Sequence, residues 1–79
     1  MKLELYKKKT CPFCQRVLSY LETSGRTDVT FADIIEVPGA EERLIEIGGK
    51  RQVPCLVIDG EPLYESLDII QWLKEHPQA

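Results

Sequence analysis

The residues best equipped for chemistry are Cys11 and Cys14, in the stretch Thr10-Cys11-Pro12-Phe13-Cys14. They follow a short β-like segment and open an amphipathic helix, the setting in which a Cys-x-x-Cys pair reads as a redox dithiol. Pro12 suits the first helical position, where its fixed φ and missing N–H cost nothing, so Cys11 falls at the cap and Cys14 one turn inside. Three helical residues rise about 4.5 Å on a cylinder of about 2.3 Å radius, so the two Cα atoms lie about 5 Å apart. That is within disulfide range. Cys11 meets solvent at the positive end of the helix dipole, with Lys7, Lys8 and Lys9 just before it, and both features favour a thiolate. Cys14 begins the apolar stripe, where burial favours the neutral thiol. Cys11 is expected to attack and Cys14 to resolve.

Two blander readings compete. A disulfide staple closing so short a loop contributes at most about 2 kcal/mol by the chain-entropy estimate, against about 4.7 kcal/mol for a loop of 100 residues. A closed zinc site needs four ligands, and beyond the pair the chain offers only Cys55, His76 and carboxylates. No metal is therefore expected. Cys55 reads first as a small apolar group in a strand, and Trp72, Tyr6, Tyr20 and Tyr64 as packing residues. Phe13, between the cysteines, is expected to be exposed and to touch whatever binds there.

These cysteines need elements to hold them. Seventy-nine residues are expected to form a single domain over 1–79, near the size where one core barely suffices. No stretch of 18 uncharged residues is present and the N-terminus lacks the layout of a signal peptide, so no membrane association is expected. Three cysteines with one sensible close pair suit a reducing compartment, and a cytoplasmic monomer is the expectation. A net charge of −3 argues against general nucleic-acid binding.

Leu3 and Leu5 alternate with polar neighbours over Lys2 to Tyr6, a half-buried strand. Cys14, Val17, Leu18 and Leu21 recur at i, i+3, i+4 and i+7 in a helix from Pro12 to about Thr23, ended by Ser24-Gly25. A β-like run follows from Val29 to Val37. Pro38-Gly39 breaks it, and Ala40, Leu44 and Ile47 mark a short helix closed by Gly48-Gly49. Pro54 to Ile58 and Pro62 to Glu65 read as a hairpin about Asp59-Gly60. Ser66 is a good N-cap for a last helix that buries Ile69, Ile70 and Leu73 and ends by Pro77. The order β-α-β-α-β-β-α predicts an α/β fold: a four-stranded mixed sheet, its first two strands parallel, with three helices.

With these motifs in place, the chain resembles a dithiol glutaredoxin with the thioredoxin fold over essentially its whole length. Cys11-Pro12-Phe13-Cys14 is a near match to that family's Cys-Pro-Tyr-Cys, whereas the Trp-Cys-Gly-Pro-Cys of thioredoxin differs more. The resemblance implies that Lys8, three before Cys11, lies beside the reactive sulfur and the glycine carboxylate of glutathione. Gln52-Val53-Pro54 looks like the family's Thr-Val-Pro, with Gln52 in place of the Thr. A cis Pro54 would present the Val53 backbone to the cysteinyl part of glutathione as an added strand. Arg51 would meet the glycine carboxylate. Glu65-Ser66 departs from the Gly-Gly of glutaredoxins and resembles the N-terminal domain of glutathione transferases. There an acidic residue and a helix-opening serine hold the γ-glutamyl group. Asp68 would meet its α-amino group.

The resemblance implies a glutathione-dependent thiol-disulfide oxidoreductase acting on protein disulfides and glutathionylated proteins, with glutathione as co-substrate and no bound cofactor. Two alternatives stay open. One is a glutathione-transferase-like module, although the helical second domain of those enzymes would begin where this chain ends. The other is an iron-sulfur scaffold bridged through Cys11, of which Pro12 is not typical.

Overall fold

Leu3, Leu5 and Tyr6 are all buried, so the first strand is covered on both faces, more deeply than its alternation suggests. This strand, β1 (Leu3–Lys7), is followed in the computed structural model by α1 (Pro12–Ser24), β2 (Val29–Asp33), α2 (Ala40–Gly48), β3 (Cys55–Ile58), β4 (Glu61–Tyr64) and α3 (Ser66–Glu75). The structure describes residues 1–78.

The strands form one sheet in the order β2-β1-β3-β4. Leu5 of β1 lies opposite Phe31 of the parallel β2 and opposite Leu56 of the antiparallel β3. β3 and β4 form the expected hairpin, with Cys55 opposite Tyr64. This is the thioredoxin fold. Leu3, Leu5 and Leu56 pack on one face against Val17 and Leu21 of α1 and Ile69 and Leu73 of α3. On the other face Tyr6, Ala32, Cys55 and Val57 pack against Ala40 and Leu44 of α2. Alternate residues of β3 thus go to opposite layers, and Cys55 belongs to the layer away from α1.

Three expectations are corrected. β2 stops at Asp33 instead of running to Val37, because the Asp33 carboxylate accepts the N–H groups of Ile35 (2.8 Å) and Glu36 (3.0 Å) and turns the chain. Ser66 is the first helical residue rather than the N-cap; Glu65 holds that place at φ 72°, without a side-chain cap bond. Ile70 is half-buried on the rim of the core rather than inside it. Smaller shifts of one residue occur at β1, β3 and β4. Pro62 pairs with Val57 inside β4, which is tolerated because β4 is an edge strand.

Candidate active site

Cys11 is the N-cap of α1, in extended conformation, with Pro12 opening the helix. The Cys14 backbone N–H donates to Cys11 Sγ at 3.4 Å, and the Cys11 thiol donates to the Val53 carbonyl at 3.9 Å. The Val53–Pro54 peptide is cis. The Cys11 thiol thereby lies against the backbone of the residue that precedes the cis proline. All three cysteines are free thiols; Cys11 is partly exposed, while Cys14 and Cys55 are buried. Burial, reinforced by the neighbouring Cys11 sulfur, pushes the Cys14 thiol up to about 12, although the Lys8 backbone and ammonium oppose it. At neutral pH Cys14 therefore carries its proton, and Cys11 is the more accessible of the two sulfurs.

The cleft, about 260 Å³, is lined by Phe13, Gln52, Val53, Pro54, Glu65 and Ser66. Of the residues expected around the cysteines, Phe13, Val53, Pro54, Glu65 and Ser66 come together here. Three do not line it. Arg51 is turned onto the Glu41 carboxylate of α2, Asp68 is exposed in the first turn of α3, and Lys8 is half-buried on the chain entering the helix, its carbonyl accepting the Cys11 N–H at 3.2 Å. Among the described residues Lys8 is the lysine of its run without an ion pair: Lys7 pairs with Asp33 at 3.4 Å and Lys9 with Glu36 at 2.6 Å. Two larger clefts, of about 340 and 410 Å³, lie at the far end of α1 and α3 around Arg26.

Sequence reasoning passed over Gln52, whose side-chain amide lies 3.3 Å from the Glu65 carboxylate across the cleft. Its place beside Val53-Pro54 was the available signal. Arg16 was also passed over, although its spacing of three from Phe13 puts both on one helical face; its guanidinium lies 5.6 Å from the Phe13 ring centre. Cys55 is buried beside Tyr64, and burial raises both its thiol and the Tyr64 phenol. On the α2 side of the sheet, Cys55 is outside the cleft. Among the described residues no group of three or more His, Cys, Asp or Glu side chains is placed to hold a metal, and no helix is long and apolar enough to cross a membrane.

Fold and site define a thioredoxin-fold protein with a Cys-x-x-Cys pair at a helix N-terminus. The family profile of the glutathione S-transferase N-terminal domain matches residues 5–79. Glutaredoxin 3 of Escherichia coli is 34% identical over 61 residues, covering 75% of this chain and 70% of that protein. The chain belongs to the thioredoxin-fold family of glutaredoxins and glutathione S-transferase N-terminal domains. It is also 35% identical over 77 residues to prostaglandin E synthase 2 of Danio rerio, covering 96% of this chain but spanning only 19% of that protein. Among solved structures, a variant of the thioredoxin-like protein BC3987 superposes with a TM-score of 0.79 at 26% identity, covering 96% of this chain and 97% of that one.

Proposed function

We propose that the protein is a glutathione-dependent thiol-disulfide oxidoreductase. The observation that carries the reading is the position of Cys11 Sγ, between the Cys14 N–H and the carbonyl of Val53, a residue that lines one cleft with Phe13, Pro54, Glu65 and Ser66. The Cys11 thiolate attacks the glutathionyl sulfur of a protein-glutathione mixed disulfide; a Cys11-glutathione disulfide forms and the protein thiol leaves with the proton it needs. A second glutathione thiolate then attacks the bound glutathionyl sulfur, releasing oxidised glutathione and restoring Cys11. With a protein disulfide, Cys14 closes a Cys11–Cys14 disulfide instead, which two glutathione molecules reduce. Val53 presents its backbone to the cysteinyl part of glutathione, Glu65, Ser66 and Asp68 hold the γ-glutamyl end, and Lys8 and Phe13 border the sulfur. Arg51 joins them by exchanging Glu41 for the glycine carboxylate. No resident cofactor enters this scheme. A single-domain cytoplasmic monomer suits it, since glutathione keeps such thiols reduced there; cell fractionation and size-exclusion chromatography check both points.

The test is glutathione-driven reduction of a small mixed disulfide, coupled to NADPH through glutathione reductase. Wild type and Cys14→Ser should turn over and Cys11→Ser should fall to background. Full activity in Cys11→Ser would overturn the assignment. A transferase-like reading has one specific support, the Glu65-Ser66 corner with its positive φ, and conjugation of glutathione to an electrophile by this chain would favour it.

A further inference from the structure

Of the six residues that line the cleft of about 260 Å³, Glu65 alone carries a charge. Its carboxylate accepts a hydrogen bond from the Gln52 side-chain amide at 3.3 Å, and among the described residues it has no ion pair. Three other carboxylates are treated differently: Asp33 meets Lys7, Glu36 meets Lys9 and Glu41 meets Arg51. Each of those is neutralised where it stands. Glu65 is held by a neutral donor, which orients a carboxylate and leaves its charge in place.

Gln52 and Glu65 come from different parts of the chain, 13 residues apart. One precedes the cis Val53–Pro54 peptide and the other precedes α3. Glu65 is exposed and Gln52 half-buried. A free glutamate side chain on the surface samples several rotamers and loses that freedom only when something holds it. The contact with Gln52 therefore keeps the carboxylate over the cleft, where a cationic group of a ligand meets it in a charge-assisted hydrogen bond. The γ-glutamyl end of glutathione carries such a group, its α-ammonium, on the same carbon as an α-carboxylate that the N-terminus of α3 at Ser66 favours. Neighbouring residues 65 and 66 thus match neighbouring groups of the ligand, whereas Asp68 is exposed and outside the lining of the cleft.

We infer that Gln52 is a positioning residue that sets specificity: it holds the Glu65 carboxylate where the α-ammonium of a γ-glutamyl thiol binds, so the cleft takes small thiols with a free α-amino group ahead of those without one. The inference rests on the glutathione reading above and deepens it. The ammonium contact is worth about tenfold in affinity, and the neutral hydrogen bond that positions its acceptor about threefold to tenfold.

The experiment measures binding without turnover. Reduced protein is titrated, with NMR as the readout, against S-methylglutathione and against the analogue in which glutaryl replaces γ-glutamyl, so that only the α-amino group is missing. Wild type should bind S-methylglutathione about tenfold more tightly than the analogue. Gln52→Met, equal in length but without the amide, should cut that preference by about threefold to tenfold and leave the affinity for the analogue within about twofold. In Glu65→Gln the preference should already be lost, and adding Gln52→Met should change nothing more. This coupling through Glu65 is what a merely structural role of Gln52 would not produce, since a distorted cleft weakens both ligands alike. Equal binding of the two ligands by wild type, an unchanged preference in Gln52→Met, a parallel loss for both ligands, or a further loss in the Glu65→Gln background would each overturn the inference while leaving glutathione as the ligand. If wild type binds neither compound, the glutathione reading itself falls and the inference falls with it.

Discussion

Cys11 and Cys14 are three residues apart and chemically unlike, because one caps a helix at the surface and the other is fully buried. This asymmetry should be directly visible in alkylation. At pH 7 iodoacetamide should label Cys11 of the reduced native protein rapidly and spare Cys14 and Cys55, as read by mass spectrometry; equal labelling of Cys11 and Cys14 would remove the assignment of roles. The raised Cys14 value, about 12 against an ordinary 9.0, also has a stability signature. The folded protein holds this proton more tightly than the unfolded chain does. Its contribution is therefore complete below about pH 9 and is lost as pH rises toward 12. Under reducing conditions the wild type should lose on the order of 1 kcal/mol by about pH 10 from this source. Cys14→Ala should lack that part of the slope in urea titrations.

The elements owe their positions to particular contacts. α2 can end against β4 because Gly48 has no side chain: a Cβ there would fall 1.7 Å from the Tyr64 hydroxyl. α3 begins at a corner where Glu65 adopts φ 72° and ψ 121°, a region costly for a residue with a Cβ, by about 1–3 kcal/mol. Replacing Glu65 with Gly should relieve that strain, leaving the urea midpoint unchanged or higher. The same variant should raise the KM for glutathione several-fold, since the carboxylate is lost. A fall in stability would mean that the Gln52–Glu65 contact outweighs the strain. Helix starts and stops were legible in the sequence wherever local chemistry sets them, as at Pro12, Gly25 and Gly49. The end of β2 was not, because Asp33 makes its turn with a side-chain geometry that an apolar run through Val37 hides.

In the molecule as a whole, Arg26 ties the C-terminal end of α1 to that of α3. Its guanidinium binds Asp28 through both Nε and Nη2 (2.9 and 2.8 Å) and donates from Nη1 to the Leu73 and His76 carbonyls (2.9 and 2.7 Å). Its side chain is 7% exposed, so Arg26→Ala removes the bonds to the part-buried Leu73 carbonyl and the exposed His76 carbonyl together with the Asp28 pair, and should cost about 1–2 kcal/mol in urea unfolding. The 13 residues of α1 place this staple about 20 Å from Cys11. Activity per folded molecule should therefore be preserved, and a parallel loss of kcat would show that the far end of the layer is coupled to the site.

Local sequence was enough for the dithiol, its cap, the element order and hence the thioredoxin fold, because helix periodicity, turn residues and the Cys-Pro-x-Cys spacing act over a few neighbours. Long-range packing decided what neighbours cannot encode. Arg51 goes to Glu41, Gln52 to Glu65 and Cys55 to the α2 layer because strand pairing and helix docking set which side chains face one another.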